Sequence, residues 1–154
     1  MNVTLHRRTL NTALVAVFGI AFVLNFIWEM LQMPLFQGLD WSPASWALCA
    51  AASLGDAAFS TAAYAALALW HRDAGWVCQR DARDVGWVVT GGLLVAVLGE
   101  RLSQAWGWWS YSSLMPLVPL IGVGVVPLVQ LAVLTVATFE IVQYAGLCVS
   151  RPHT

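Results

Sequence analysis

Polar positions in this chain form sparse stripes inside long apolar runs. Four runs reach the length of about 20 residues at which a helix crosses a bilayer. They cover about Asn11 to Gln32, Ser45 to Trp70, Val85 to Trp106 and Val125 to Val149. Pro34 follows the first run, and Pro127 stands just inside the fourth, where a missing N–H costs little. The pattern predicts an all-α integral membrane fold, a four-transmembrane-helix bundle forming a single domain over residues 1–154. Between the third and fourth runs, "GWWSYSSLMPLVPLIGVG" is apolar but broken by Pro116, Pro119, Gly122 and Gly124. It predicts an interfacial or re-entrant loop packed against protein, because bare irregular backbone cannot face lipid.

The polar stripes have helical spacing. Asn25, Glu29 and Gln32 follow i, i+4, i+7 and share one face of the first span. Cys49, Ser53, Asp56 and Ser60 do the same in the second. The third carries Glu100 and Gln104 at i, i+4, with Arg101 beside them; the fourth carries Gln130, then Glu140 and Gln143. An ionisable group at a helix centre costs at least about 2.5–3.5 kcal/mol in a bilayer, so each needs a partner or a task. At about 1.5 Å per residue, Glu29, Asp56, Glu100 and Gln130 reach compatible depths and predict one pocket open toward the outer face. Glu140 lies deeper and predicts a separate contact. Arg101 is the cation available to Glu29 or Asp56, since adjacent residues Glu100 and Arg101 do not face each other on a helix.

Composition supports the lipid environment. Hydrophobic residues make up 60% of the 154 and charged residues 10%, against about 45–50% and about 25% in soluble domains. Mean hydropathy is +0.73. The chain has no lysine and a net charge of −1, which excludes the basic face that nucleic acid needs. Arg7, Arg8, Arg72, Arg80, Arg83 and Arg151 fall on one side if both termini are cytoplasmic, and only Arg101 falls toward the other. That is a positive-inside pattern and predicts a multi-pass protein of the cell inner membrane. The tryptophans form two predicted belts: Trp28, Trp41, Trp46, Trp106, Trp108 and Trp109 outside, Trp70, Trp76 and Trp87 inside.

Other chemistry is thin. His6, His71 and His153 lie in tails or loops, so no histidine-based metal centre is expected in the membrane, and no cofactor is called for. Cys49, Cys78 and Cys148 show no pairing pattern. "GVGVVP" lacks the lysine and the strand of a phosphate loop and reads as a bend before the fourth span.

One segment resembles a known family. "GERLSQAWGWWSYSSLMPLVPLIGVGVVPLVQ", Gly99 to Gln130, is similar to membrane-embedded carotenoid cyclase and hydratase proteins. There an acidic residue in a span precedes a Gly-x-Trp-x-Tyr element, a loop and a proline-containing helix start. The counterparts are Glu100, then Gly107, Trp109 and Tyr111, then Pro127. Where that family carries Pro-x-Glu-Glu, this chain reads Pro127-Leu128-Val129-Gln130, an amide in place of a protonating acid. The first half, with "WEMLQMPLF" and "SLGD", ties to no characterised activity, and the whole resembles small bacterial inner-membrane proteins.

Three functions compete. The first is an acid–base enzyme acting on a lipid or isoprenoid, with Glu29, Asp56 and Glu100 as catalytic carboxyls. Asn25, Gln32, Arg101, Gln104, Trp109, Tyr111 and Gln130 would then bind substrate. The second is a proton- or cation-coupled transporter, which with four spans would need a homo-oligomer. The third is a membrane assembly factor. The expected partners are membrane lipids, with partner helices besides in the third reading.

Overall fold

A computed structural model describes residues 3–146, with side chains described from Leu10 onward. The side chains of His6, Arg7 and Arg8, together with Cys148, Val149, Arg151 and His153, lie outside the described residues. The described residues form four long helices: α1 (Val3–Gln32), α2 (Pro43–His71), α3 (Ala82–Ala105) and α4 (Val125–Tyr144). Short 3₁₀ turns occupy Met33–Leu35 and Trp76–Gln79.

The helix ends follow local chemistry. Pro34 stops α1 in a 3₁₀ turn. Ser42 caps α2, its hydroxyl accepting the Ser45 N–H, with Pro43 in the first turn. Asp81 and Asp84 form a reciprocal capping box at the start of α3. The fourth helix ends at Tyr144, short of the expected Val149. Gly146 adopts φ 63° just beyond it, the left-handed conformation that closes helices.

Among the described residues, three helical segments are long and apolar enough to cross a membrane: Leu10–Leu35, Ala82–Ala105 and Val125–Tyr144. The expected second span, α2, is as long but is not one of these three. It is rich in alanine and carries Ser45, Ser53, Asp56 and Ser60.

Helices α1 and α4 form the centre. Helix α2 packs on α1 and α3 packs on α4, whereas α2 and α3 barely touch. The α3–α4 crossing is close because Gly92 has no side chain: a Cβ there would lie 2.9 Å from the Ala132 Cα. At the α2–α3 loop end, His71 Nε2 meets Asp84 Oδ1 at 2.8 Å, and a core forms around Val17, Tyr64, Trp76, Phe139 and Val142. Trp76, expected at a headgroup belt, is 3% exposed instead. Its indole N–H donates to the Tyr64 carbonyl at 3.2 Å, and its ring packs on Tyr64, His71 and Phe139. Cys78 is disulfide-bonded, contrary to the expectation from cysteine spacing, while Cys49 is free and buried.

The segment between α3 and α4 is a folded cap. Gln37 N donates to Ser110 O at 2.8 Å and Ser112 N to Leu35 O at 2.9 Å, so it pairs with the chain leaving α1. A second turn closes through Val118 N to Val123 O at 2.8 Å and carries Leu120 at φ 75°.

Candidate functional site

At the end opposite His71, α2 and α3 stand apart, and a cavity of about 730 Å³ lies between them. Its volume is in the range that holds a small organic ligand, about 300–1,000 Å³. Leu48, Ala51, Ala52, Phe59 and Val95 make its apolar sides. Glu29, Asp56, Glu100 and Gln130 make its polar floor, under Trp108 and Trp109.

Gln130 is the hub. Its Nε2 lies 3.1 Å from Asn25 Oδ1, 2.9 Å from Glu29 Oε1 and 3.1 Å from Asp56 Oδ2. Its Oε1 accepts from Gln32 Nε2 at 2.8 Å, and Gln32 Oε1 accepts the Trp28 indole N–H at 3.2 Å. One amide from α4 thus joins the stripe of α1 to the stripe of α2. The amide has two hydrogens for three acceptors, so the cluster has acceptor capacity in excess of what Gln130 can donate. Asn25 is buried away from the cavity, whereas Glu29, Gln32 and Asp56 line it.

Glu100 forms a second cluster across the cavity. Its Oε2 accepts the Trp109 indole N–H at 3.3 Å and the Tyr111 hydroxyl at 2.5 Å. The Tyr111 oxygen in turn accepts the Gly124 N–H at 2.9 Å, at the start of α4. Burial first, and the adjoining carboxylate second, push the Tyr111 phenol above its ordinary pKa, so it remains a donor at neutral pH. Phe36 packs against Trp109 and Tyr111 with ring centroids 6.3 and 5.6 Å away.

Not every expected site residue joins the cavity. Arg101 pairs with neither Glu29 nor Asp56 among the described residues. Its Nη1 lies 3.4 Å from the Ile121 carbonyl on the exposed side of α3. The same helical rule that separates it from Glu100 turns it away once Glu100 faces the cavity. Gln104 lies one turn past Glu100, and its buried Nε2 has no hydrogen-bond partner among the described residues. Glu140 occupies the other end of the bundle, as its depth predicts, and pairs with Arg80, which also donates to Gln143 Oε1 at 2.6 Å. Trp28 has a role beyond an interfacial anchor, since it orients Gln32; its i, i+4 spacing from Gln32 was the available signal. Ser103 also lines the cavity and lies one turn beyond Gly99 and Glu100 in sequence. Among the described residues, no basic side chain lines the cavity, and no group of His, Cys, Asp and Glu is arranged to hold a metal ion.

No protein family model, curated protein or solved structure matches this chain.

Proposed function

We propose that this chain is a four-span inner-membrane enzyme. It takes an apolar molecule from the bilayer into the cleft between α2 and α3 and acts on it by acid–base chemistry. The observation that carries this reading is the cavity itself: apolar on the sides contributed by α2 and α3, with three carboxyl groups at its floor. A lipid or isoprenoid can slide in sideways between two helices that barely touch. Once bound, it meets Glu29 and Asp56 on one side and Glu100 on the other.

In this reading Glu29 and Asp56, held by one shared amide, exchange a proton with the bound molecule. Glu100, held by two donors, stays fixed as the opposing carboxyl. Asn25 and Gln32 position Gln130. The segment carrying Glu100, Trp109 and Tyr111 is also the part that resembles carotenoid cyclases and hydratases. The cap from 106 to 124 then sits at the outer membrane interface, and α2 crosses the bilayer with its serine and aspartate face turned inward.

Packing favours an enzyme over a transporter. Below the cavity, Tyr64, Trp76 and Phe139 pack tilted and edge-to-face with ring centroids 5.6–5.8 Å apart, which supports a dead-end pocket over a through path. The test is conversion of membrane lipids. Purified wild-type protein is incubated with a lipid extract, and products are resolved by mass spectrometry beside Glu29→Gln, Asp56→Asn and Glu100→Gln. A product that appears with wild type and is lost in the variants is expected. Identical profiles for all four proteins would refute the enzyme reading.

A further inference from the structure

The hydrogen-bond inventory of the cleft restricts what can bind there. Several donors around it are engaged internally: Gln130 Nε2 serves Asn25, Glu29 and Asp56, and Trp109 and Tyr111 both serve Glu100, while the Trp108 indole and the Ser103 hydroxyl border the cavity as neutral donors. Acceptors are in surplus, since three carboxyl groups share these few donors. Three basic groups are held elsewhere: Arg101 at Ile121, Arg80 at Glu140 and His71 at Asp84. A phosphate or carboxylate headgroup would enter a cavity with no countercharge and with acidic groups on two sides. A head that donates hydrogen bonds and carries positive charge would find acceptors on α1, α2 and α3, with the indoles of Trp108 and Trp109 beside it.

We propose that the cleft between α2 and α3 selects a lipophilic amine: an apolar body against Ala51, Ala52, Phe59 and Val95, and an ammonium head among Glu29, Asp56 and Glu100. This rests on the reading of the cleft as a binding site for apolar molecules and adds the chemistry of the head. The apolar cavity and the lack of a basic lining residue among the described residues carry it together, because the carboxyl cluster alone would not specify an apolar body.

The experiment uses full-length protein in lipid nanodiscs. Thermal unfolding is followed by circular dichroism with dodecylamine, dodecanol or dodecyl phosphate added at equal mole fraction of lipid. Dodecylamine is expected to raise Tm saturably, with half-saturation about tenfold or more below that of dodecyl phosphate, because the phosphate meets acidic groups and no countercharge. Dodecanol is expected to fall between them. The amine effect should vanish in Glu29→Gln/Asp56→Asn. It should vanish also in Ala51→Trp, which fills the cleft and leaves the carboxyls in place. Dodecyl phosphate binding as tightly as the amine, or an amine effect unchanged in Ala51→Trp, would overturn the proposal. Saturable amine binding with no carboxyl-dependent lipid conversion would sink the enzyme reading alone. Lipid conversion together with preferred phosphate binding would sink only the amine.

Discussion

Replacing Gln130 by leucine tests whether one amide holds three helices together. Leucine keeps most of the volume and removes both polar atoms. Asn25 Oδ1 and Gln32 Nε2 lose their Gln130 partner at buried positions, 0% and 4% exposed. Glu29, Asp56 and Gln32 border the cavity, where water or ligand can replace the lost partner, and Asn25 does not. One orphaned buried group sets an upper range near about 3 kcal/mol. Interhelical hydrogen bonds in membranes average only about 0.6 kcal/mol, so losing the three that Gln130 can make at once sets a lower range near about 2 kcal/mol. The expected loss is therefore about 2–3 kcal/mol. The assay is reversible unfolding in mixed dodecylmaltoside and dodecyl sulfate micelles, followed by far-ultraviolet circular dichroism. Val133→Leu on the exposed side of the same helix, 53% exposed, serves as the control and should change stability by less than about 0.5 kcal/mol. If Gln130→Leu unfolds with the same midpoint as Val133→Leu, the hub argument is wrong.

Further consequences can be checked with the same material. Gly92→Val forces a side chain against the Ala132 backbone and should cost about 1–3 kcal/mol by overpacking, while Gly86→Ala, in open space, should be neutral or slightly stabilising in the same titration. Arg80 is 12% exposed at its side chain and Glu140 42%. Arg80→Met should therefore cost more than Glu140→Gln, and a double-mutant cycle should return a coupling of about 1 kcal/mol or less for so exposed a carboxylate. Asp81 caps α3, and backbone hydrogen bonds from Asp84 and Arg83 hold its carboxyl below the usual range. A depressed folded pKa contributes stability above the unfolded value of about 3.9 and loses it as pH falls through the folded value. Tm measured from pH 6 down to pH 3 should thus fall more steeply for wild type than for Asp81→Asn, and parallel curves would contradict the cap's contribution.

The stripes on α1 and α2 were legible because helical spacing alone decides which residues share a face. Asn25, Glu29 and Gln32 point together toward Gln130, and Asp56 reaches the same amide from α2. Arg101 was misjudged for a reason equally local. Its charge made it the natural partner for a buried carboxylate, yet its position next to Glu100 turns it outward once Glu100 faces in. Trp76 shows the limit of composition. An indole near a loop reads as a headgroup anchor, but the Trp76–Gln79 turn folds back and buries it against Phe139. The hydrogen bond from Tyr111 to Glu100 joins residues that no helical period relates, so only the folded cap creates it.

Sequence by itself determined that the chain is helical, apolar enough for lipid, and striped with polar groups on particular helix faces. Those properties depend on residue type and on a period of 3.6, both of which are local. The tertiary structure decided which helices touch and which part. Gly92 lets α3 close on α4, and α1 packs between α2 and α4. The gap left between α2 and α3 is the cavity. A cavity is a property of the surfaces that fail to meet, and no single segment encodes that.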